Sequence, residues 1–140
     1  MLLKLKTYFQ AMTIKTLLAP NKNAIWIAVC WTFLILYLSF KNPSSEEEMF
    51  FFPNADKLVH FTFYFVLVIS WFRYLAFKRK NDRKMKIILV SAAVFLGICV
   101  EIGQSCLTET RQGDALDALA NSVGAIVGIL ICSSFLEPEK

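Results

Sequence analysis

A chain of 140 residues with 56% hydrophobic side chains and a mean hydropathy of +0.52 lies above the apolar content of an ordinary soluble domain. Its four apolar blocks leave no room within it for a separate soluble catalytic domain, so any chemistry must be built from helices and short loops. The net charge of +4 sits in basic flanks where anionic lipid accounts for it, and no nucleic-acid partner is implied.

The chain starts with MLLKLKTYFQAMTIKTLLAP, where Leu2, Leu5, Phe9 and Met12 share one side at helical spacing. Thr7, Gln10, Thr13 and Lys15 interrupt any signal-peptide core, so residues 1–23 are expected to stay attached as a cytoplasmic arm or interfacial helix. The first apolar span then covers about 24–40. The loop after it, NPSSEEEMFFFPNA, holds a capping-box spacing at Ser45 and Glu48. A short helix there would lay Met49, Phe50, Phe51 and Phe52 on the membrane surface, as a lid over a site or as a plain aromatic anchor.

The second span, about 58–77, opens PNADKLVHFTFYF, and Asp56, His60 and Tyr64 form one stripe at i, i+4 and i+8. Asn54 or Asp56 suits a helix cap, because a carboxylate complements the positive end of the helix dipole. Capping does not explain His60, the only histidine in the chain, which lies a turn further in. A lone histidine in an apolar run is commonly a satisfied structural group, and that reading stands beside the functional one.

The third span, about 87–104, ends GICVEIGQSC and puts Gly97, Glu101 and Gln104 on one face. A carboxylate near a helix C-terminus opposes the dipole, so Glu101 must pair with a cation or a donor, or hold a proton. The fourth span, about 116–136, follows ETRQGDALDALANSVG, where Asp114, Asp117, Asn121, Gly124 and Gly128 fall within an arc of roughly 80°. Asp114 with Asp117 resembles a capping box, whereas Asn121 is a turn too deep to cap anything. Gly124 and Gly128 make a small-xxx-small pattern that turns this polar face toward the bundle.

Lys and Arg set the orientation, because short loops rich in them remain cytoplasmic. Lys4, Lys6, Lys15 and Lys22 precede the first span, and Arg73, Lys78, Arg79, Lys80, Arg83, Lys84 and Lys86 gather around the end of the second and the start of the third. The other two loops hold only Lys41, Lys57 and Arg111 among acids. Both termini are therefore expected inside, with four spans in an all-α bundle of one domain, 1–140. In that orientation the polar sets of the second, third and fourth spans reach one depth on the outer side, which points to one shared site.

Together these residues resemble the VanZ-like family of small bacterial membrane proteins, named for a protein associated with low-level teicoplanin resistance. The resemblance rests on Asp56-Lys57-x-x-His60 with Tyr64, on Glu101-x-x-Gln104, and on Arg111 followed by Asp117-x-x-x-Asn121-x-x-Gly124-x-x-x-Gly128. It implies a multi-pass protein of the bacterial cell envelope, in the cytoplasmic (inner) membrane, and carries no biochemical activity with it.

Three mechanisms fit the pattern. In the first, the site binds or modifies an envelope lipid or a lipid-linked cell-wall intermediate. There Arg111, with Lys57, would hold a phosphate or carboxylate, and His60, Glu101 and Asp117 would supply acid/base chemistry. Asp56, Tyr64, Gln104, Asp114 and Asn121 would complete the binding wall. A hydrated divalent cation on Asp114, Asp117 and Glu101 is compatible with the residue types, but the spacing matches no dedicated metal motif and no cofactor is specified. In the second, the same residues form a buried ion-pair network in a non-enzymatic binding or structural protein. The third, proton-coupled transport, is weakened by a polar set that stays on one side of four spans. Four helices enclose a site poorly, and a homodimer would enclose it better.

The cysteines Cys30, Cys99, Cys106 and Cys132 lie in or beside apolar blocks with no CxxC or Cys/His metal spacing, and read as small hydrophobes. A disulfide involving Cys106 would require an oxidising compartment, and no partner is marked.

Overall fold

The computed structural model describes residues 14–41, 55–78, 82–107 and 114–136, and all regular structure in them is helical. The face of Leu2, Leu5, Phe9 and Met12, the Ser45–Glu48 cap with the aromatic run behind it, Asn54 and Arg111 lie outside the described residues.

A first helix, α1, is described over 14–18. After it Asn21 Oδ1 accepts the Asn23 N–H at 2.8 Å, an Asx turn that redirects the chain into α2 (Ala24–Phe40). The 17 residues of α2 carry no charge, and at about 1.5 Å per residue they reach about 25 Å, the short end of what crosses a membrane. The next three helices are α3 (Ala55–Phe77), α4 (Arg83–Leu107) and α5 (Ala115–Leu136). All three are long and apolar enough to cross. α3 and α4 overrun the apolar blocks read from sequence, because their polar first turns are also helical. Asp82 Oδ1 caps α4 by accepting the Met85 N–H at 3.0 Å.

The helices alternate in direction. At one end the Asn21 N–H donates to Arg73 O at 3.3 Å and Arg73 Nε donates to Ala19 O at 3.1 Å, tying the entry of α2 to the exit of α3. At the other end Gln104 Nε2 donates to Ser39 O at 2.8 Å, tying the exit of α4 to the exit of α2. α2 is also held to α3 by Trp31 Nε1, which donates to Phe63 O at 2.9 Å, and by Trp71 Nε1, which donates to Thr32 Oγ1 at 3.3 Å. These bonds satisfy polar groups that lipid could not.

α3 packs most closely against α5, and the reason is Gly124. A Cβ on Gly124 would collide with the Phe61 carbonyl oxygen, and one on Gly128 would come within 3.0 Å of the Phe65 carbonyl oxygen. The small-xxx-small stripe thus lets two backbones meet. Below it Tyr64, Leu67, Val68 and Phe72 of α3 form a core with Ile35, Ala93, Ala125, Ile129 and Cys132.

The outer surface is inverted relative to a soluble protein. Trp26, Phe33, Tyr37, Phe95, Leu119 and Leu130 are each more than half exposed, which suits lipid as the surrounding solvent. Cys30, Cys99 and Cys106 share that exposed surface, Cys132 is in the core, and all four are free thiols.

A candidate polar site where α3, α4 and α5 meet

The start of α3, the end of α4 and the start of α5 come together at the end of the bundle that also holds Ser39. Asp114 is the residue before α5, and its carboxylate caps the helix by accepting the Leu116 N–H at 2.8 Å. Asp117 does not return the bond that would complete a capping box. The Asp114 N–H donates instead to Glu101 Oε2 at 3.2 Å, so a carboxylate from α4 closes the N-terminus of α5. This answers the dipole argument against Glu101: its charge lies at the end of α4 but beside the positive end of a neighbouring helix.

Asp117 is thereby released to two other partners. Its Oδ1 accepts from Lys57 Nζ at 3.2 Å, while its Oδ2 lies 3.8 Å from His60 Nε2. Lys57 Nζ also donates to Asp56 Oδ2 and Asp114 Oδ2, each at 3.0 Å. One ammonium therefore joins three carboxylates at the mouth of the cluster. The Leu116 N–H first, and then the Lys57 ammonium, hold the Asp114 carboxyl below its ordinary value.

Further in, His60 Nδ1 lies 3.1 Å from Asn121 Oδ1 and 3.5 Å from Glu101 Oε1. His60, Glu101, Asp117 and Asn121 are all buried, Asn121 fully. Tyr64 is one turn below His60 on α3, with its ring edge beside Gly97. Gly97 makes the space: a Cβ there would sit 3.1 Å from Asn121 Cβ and 3.4 Å from Tyr64 Cε1. Three buried atoms, Tyr64 OH, Glu101 Oε1 and Asn121 Nδ2, have no hydrogen-bond partner among the described residues. Orphans of this kind cost stability unless a group beyond the described residues meets them.

Of the residues singled out in the sequence, Lys57, His60, Tyr64, Glu101, Asp114, Asp117 and Asn121 are brought together here. Asp56 stands at the rim, its side chain more than half exposed. Gln104 Nε2 donates to the Ser39 carbonyl, which anchors α2 beside the cluster. The Ser39 carbonyl is the participant that sequence reading missed. A backbone oxygen at a helix end carries no side-chain signal, and only its depth in the first span hints at it.

The family model described as VanZ/LLP1 matches residues 5–136, nearly the whole chain. No curated protein and no solved structure shows a match.

Proposed function

The chain belongs to the VanZ/LLP1 family, and from that premise we propose that its polar cluster is an outward-facing site for the head group of an envelope lipid or a lipid-linked cell-wall intermediate. The observation that carries this reading is the convergence of Lys57, His60, Glu101, Asp117 and Asn121 from three apolar helices on one end of the bundle. Ionisable groups placed in spans are costly and need a reason. In the orientation drawn from the basic flanks, this end faces the outer leaflet of a bacterial cytoplasmic membrane, with four spans and both termini inside. Its mouth lies at the level where lipid head groups pass, and its floor is lined by polar atoms of Tyr64, Glu101 and Asn121 that have no partner among the described residues. Arg111, three residues before Asp114, supplies a guanidinium for a phosphate or carboxylate. A protein that holds or alters such a lipid would change how a glycopeptide such as teicoplanin meets the cell wall.

His60 between two carboxylates has the composition of an acid/base group, so modification as well as binding is within reach of the site. A second reading is favoured by Lys57: its bonds to three acids are those of a network that fixes helix register in a non-enzymatic protein. Lipid mass spectrometry on protein purified in mild detergent separates the two. One lipid class should co-purify near one per chain and be lost from Arg111→Ala, His60→Ala and Asp117→Asn variants that remain helical. Absence of bound lipid, or retention in all three variants, overturns the head-group reading.

A further inference from the structure

The cluster is unbalanced in charge. Among the described residues, Asp56, Glu101, Asp114 and Asp117 face a single ammonium, and Lys57 spends its donors on Asp56, Asp114 and one oxygen of Asp117. On these groups alone, with Arg111 outside the described residues and not counted, the pocket is net negative. The imbalance is deepest inside, where Glu101 is 7% exposed and its Oε1 has no hydrogen-bond partner among the described residues.

The inner groups have the chemistry of a metal-ligand set. His60, Glu101 and Asp117 each offer one ligand atom, and these atoms lie within 4.8 Å of one another. His60 Nε2 and Asp117 Oδ2 are 3.8 Å apart, too far for a hydrogen bond and a suitable gap for a cation with bonds of about 2.0–2.2 Å to each. On the other side of the ring, Asn121 Oδ1 lies 3.1 Å and Glu101 Oε1 3.5 Å from Nδ1, so the Glu101 carboxylate must swing toward Nε2 to join Asp117 on a cation there. With Nδ1–H donating to Asn121 Oδ1, the Nε2 lone pair is free and the ring is oriented, as second-shell partners do for metal-binding histidines.

We propose that His60, Glu101 and Asp117 bind one divalent cation of the Zn2+ or Mn2+ class, as one imidazole and two carboxylates suit. The cation offsets the buried carboxylates and presents its remaining coordination positions toward the mouth. This deepens the head-group reading and rests on it in one respect: the ligand at those positions is the phosphate of the bound lipid. A dication reduces the negative charge of the pocket and offers open coordination positions to a phosphate oxygen.

The test titrates Zn2+ and Mn2+ alone into chelator-treated full-length protein in detergent, by calorimetry and by elemental analysis after desalting. One ion per chain is expected, weakened at least tenfold in His60→Ala, Glu101→Gln and Asp117→Asn. A variant with all four cysteines changed to alanine should bind as the wild type does, which excludes thiol sites. Absence of stoichiometric binding by the wild type, or equal binding by the three ligand variants, overturns the metal site without any question of variant folding. Lipid mass spectrometry before and after chelation provides the second arm. Lipid lost on chelation and regained with Zn2+ or Mn2+ supports both readings. Metal bound with no lipid at all leaves the metal site standing and removes the head-group reading. Lipid retained by a chain that binds no metal does the reverse.

Discussion

Tyr64 and Glu101 are the residues at which stability and function should separate most clearly. The Tyr64 hydroxyl is buried with no partner among the described residues, so Tyr64→Phe removes a group that none of them satisfies. Its thermal stability is expected to stay within about 1 kcal/mol of the wild type or to rise, while retention of the co-purifying lipid falls. A loss well beyond that, with lipid retained, would mean that the hydroxyl serves the fold. Glu101→Gln keeps an oxygen for the Asp114 N–H and removes a charge from a buried position. Its melting temperature should match or exceed that of the wild type, measured in detergent after chelation. A strong drop there would show that the carboxylate charge holds the helices together, as the register-network reading requires.

At the scale of elements, the contact between α3 and α5 decides whether a site exists. Gly124 abuts the backbone of Phe61, one residue past His60, and Gly128 abuts that of Phe65, one past Tyr64. The glycine stripe therefore sets the depth at which Asn121 and Asp117 meet the histidine. Backbone has little freedom to move, so Gly124→Ala should cost at least the 1–3 kcal/mol typical of overpacking and displace α5. Gly128→Ala, with a milder clash, should cost less, and comparing the two melting curves tests the order. α2 is joined to the site end through Gln104 and the Ser39 carbonyl. Gln104→Leu should lower stability by about 1 kcal/mol, and hydrogen exchange should rise selectively in the last turn of α2. Uniform exchange across all helices would place the role of Gln104 elsewhere.

For the whole molecule, orientation is the property on which the functional reading turns. In a background with Cys30, Cys99, Cys106 and Cys132 changed to alanine, Glu47→Cys should react in intact cells with a membrane-impermeant maleimide. Lys84→Cys should react only after the membrane is opened. The opposite pattern would put the polar cluster on the cytoplasmic side and end the case for an outer-leaflet head group.

Composition and periodicity by themselves determined the class: apolar blocks long enough to cross a membrane, and basic flanks that alternate with acidic ones. They also determined which residues share a face, because helical spacing is local. Asp117, Asn121, Gly124 and Gly128 had to lie on one side of α5 wherever that helix went. Tertiary structure alone decided who meets whom. Asp114 with Asp117 reads as a capping box, yet Glu101 from another helix takes the backbone N–H and frees Asp117 for Lys57 and His60. Lys57 reads as an anion holder, yet its charge is shared among three acids. Asn121 reads as a wall residue, yet it lies opposite His60 Nδ1. These pairings depend on the rotation and axial offset of helices far apart in the chain. Those offsets come from how closely the backbones at Gly124 and Phe61 approach, a quantity that no periodicity within a single segment contains.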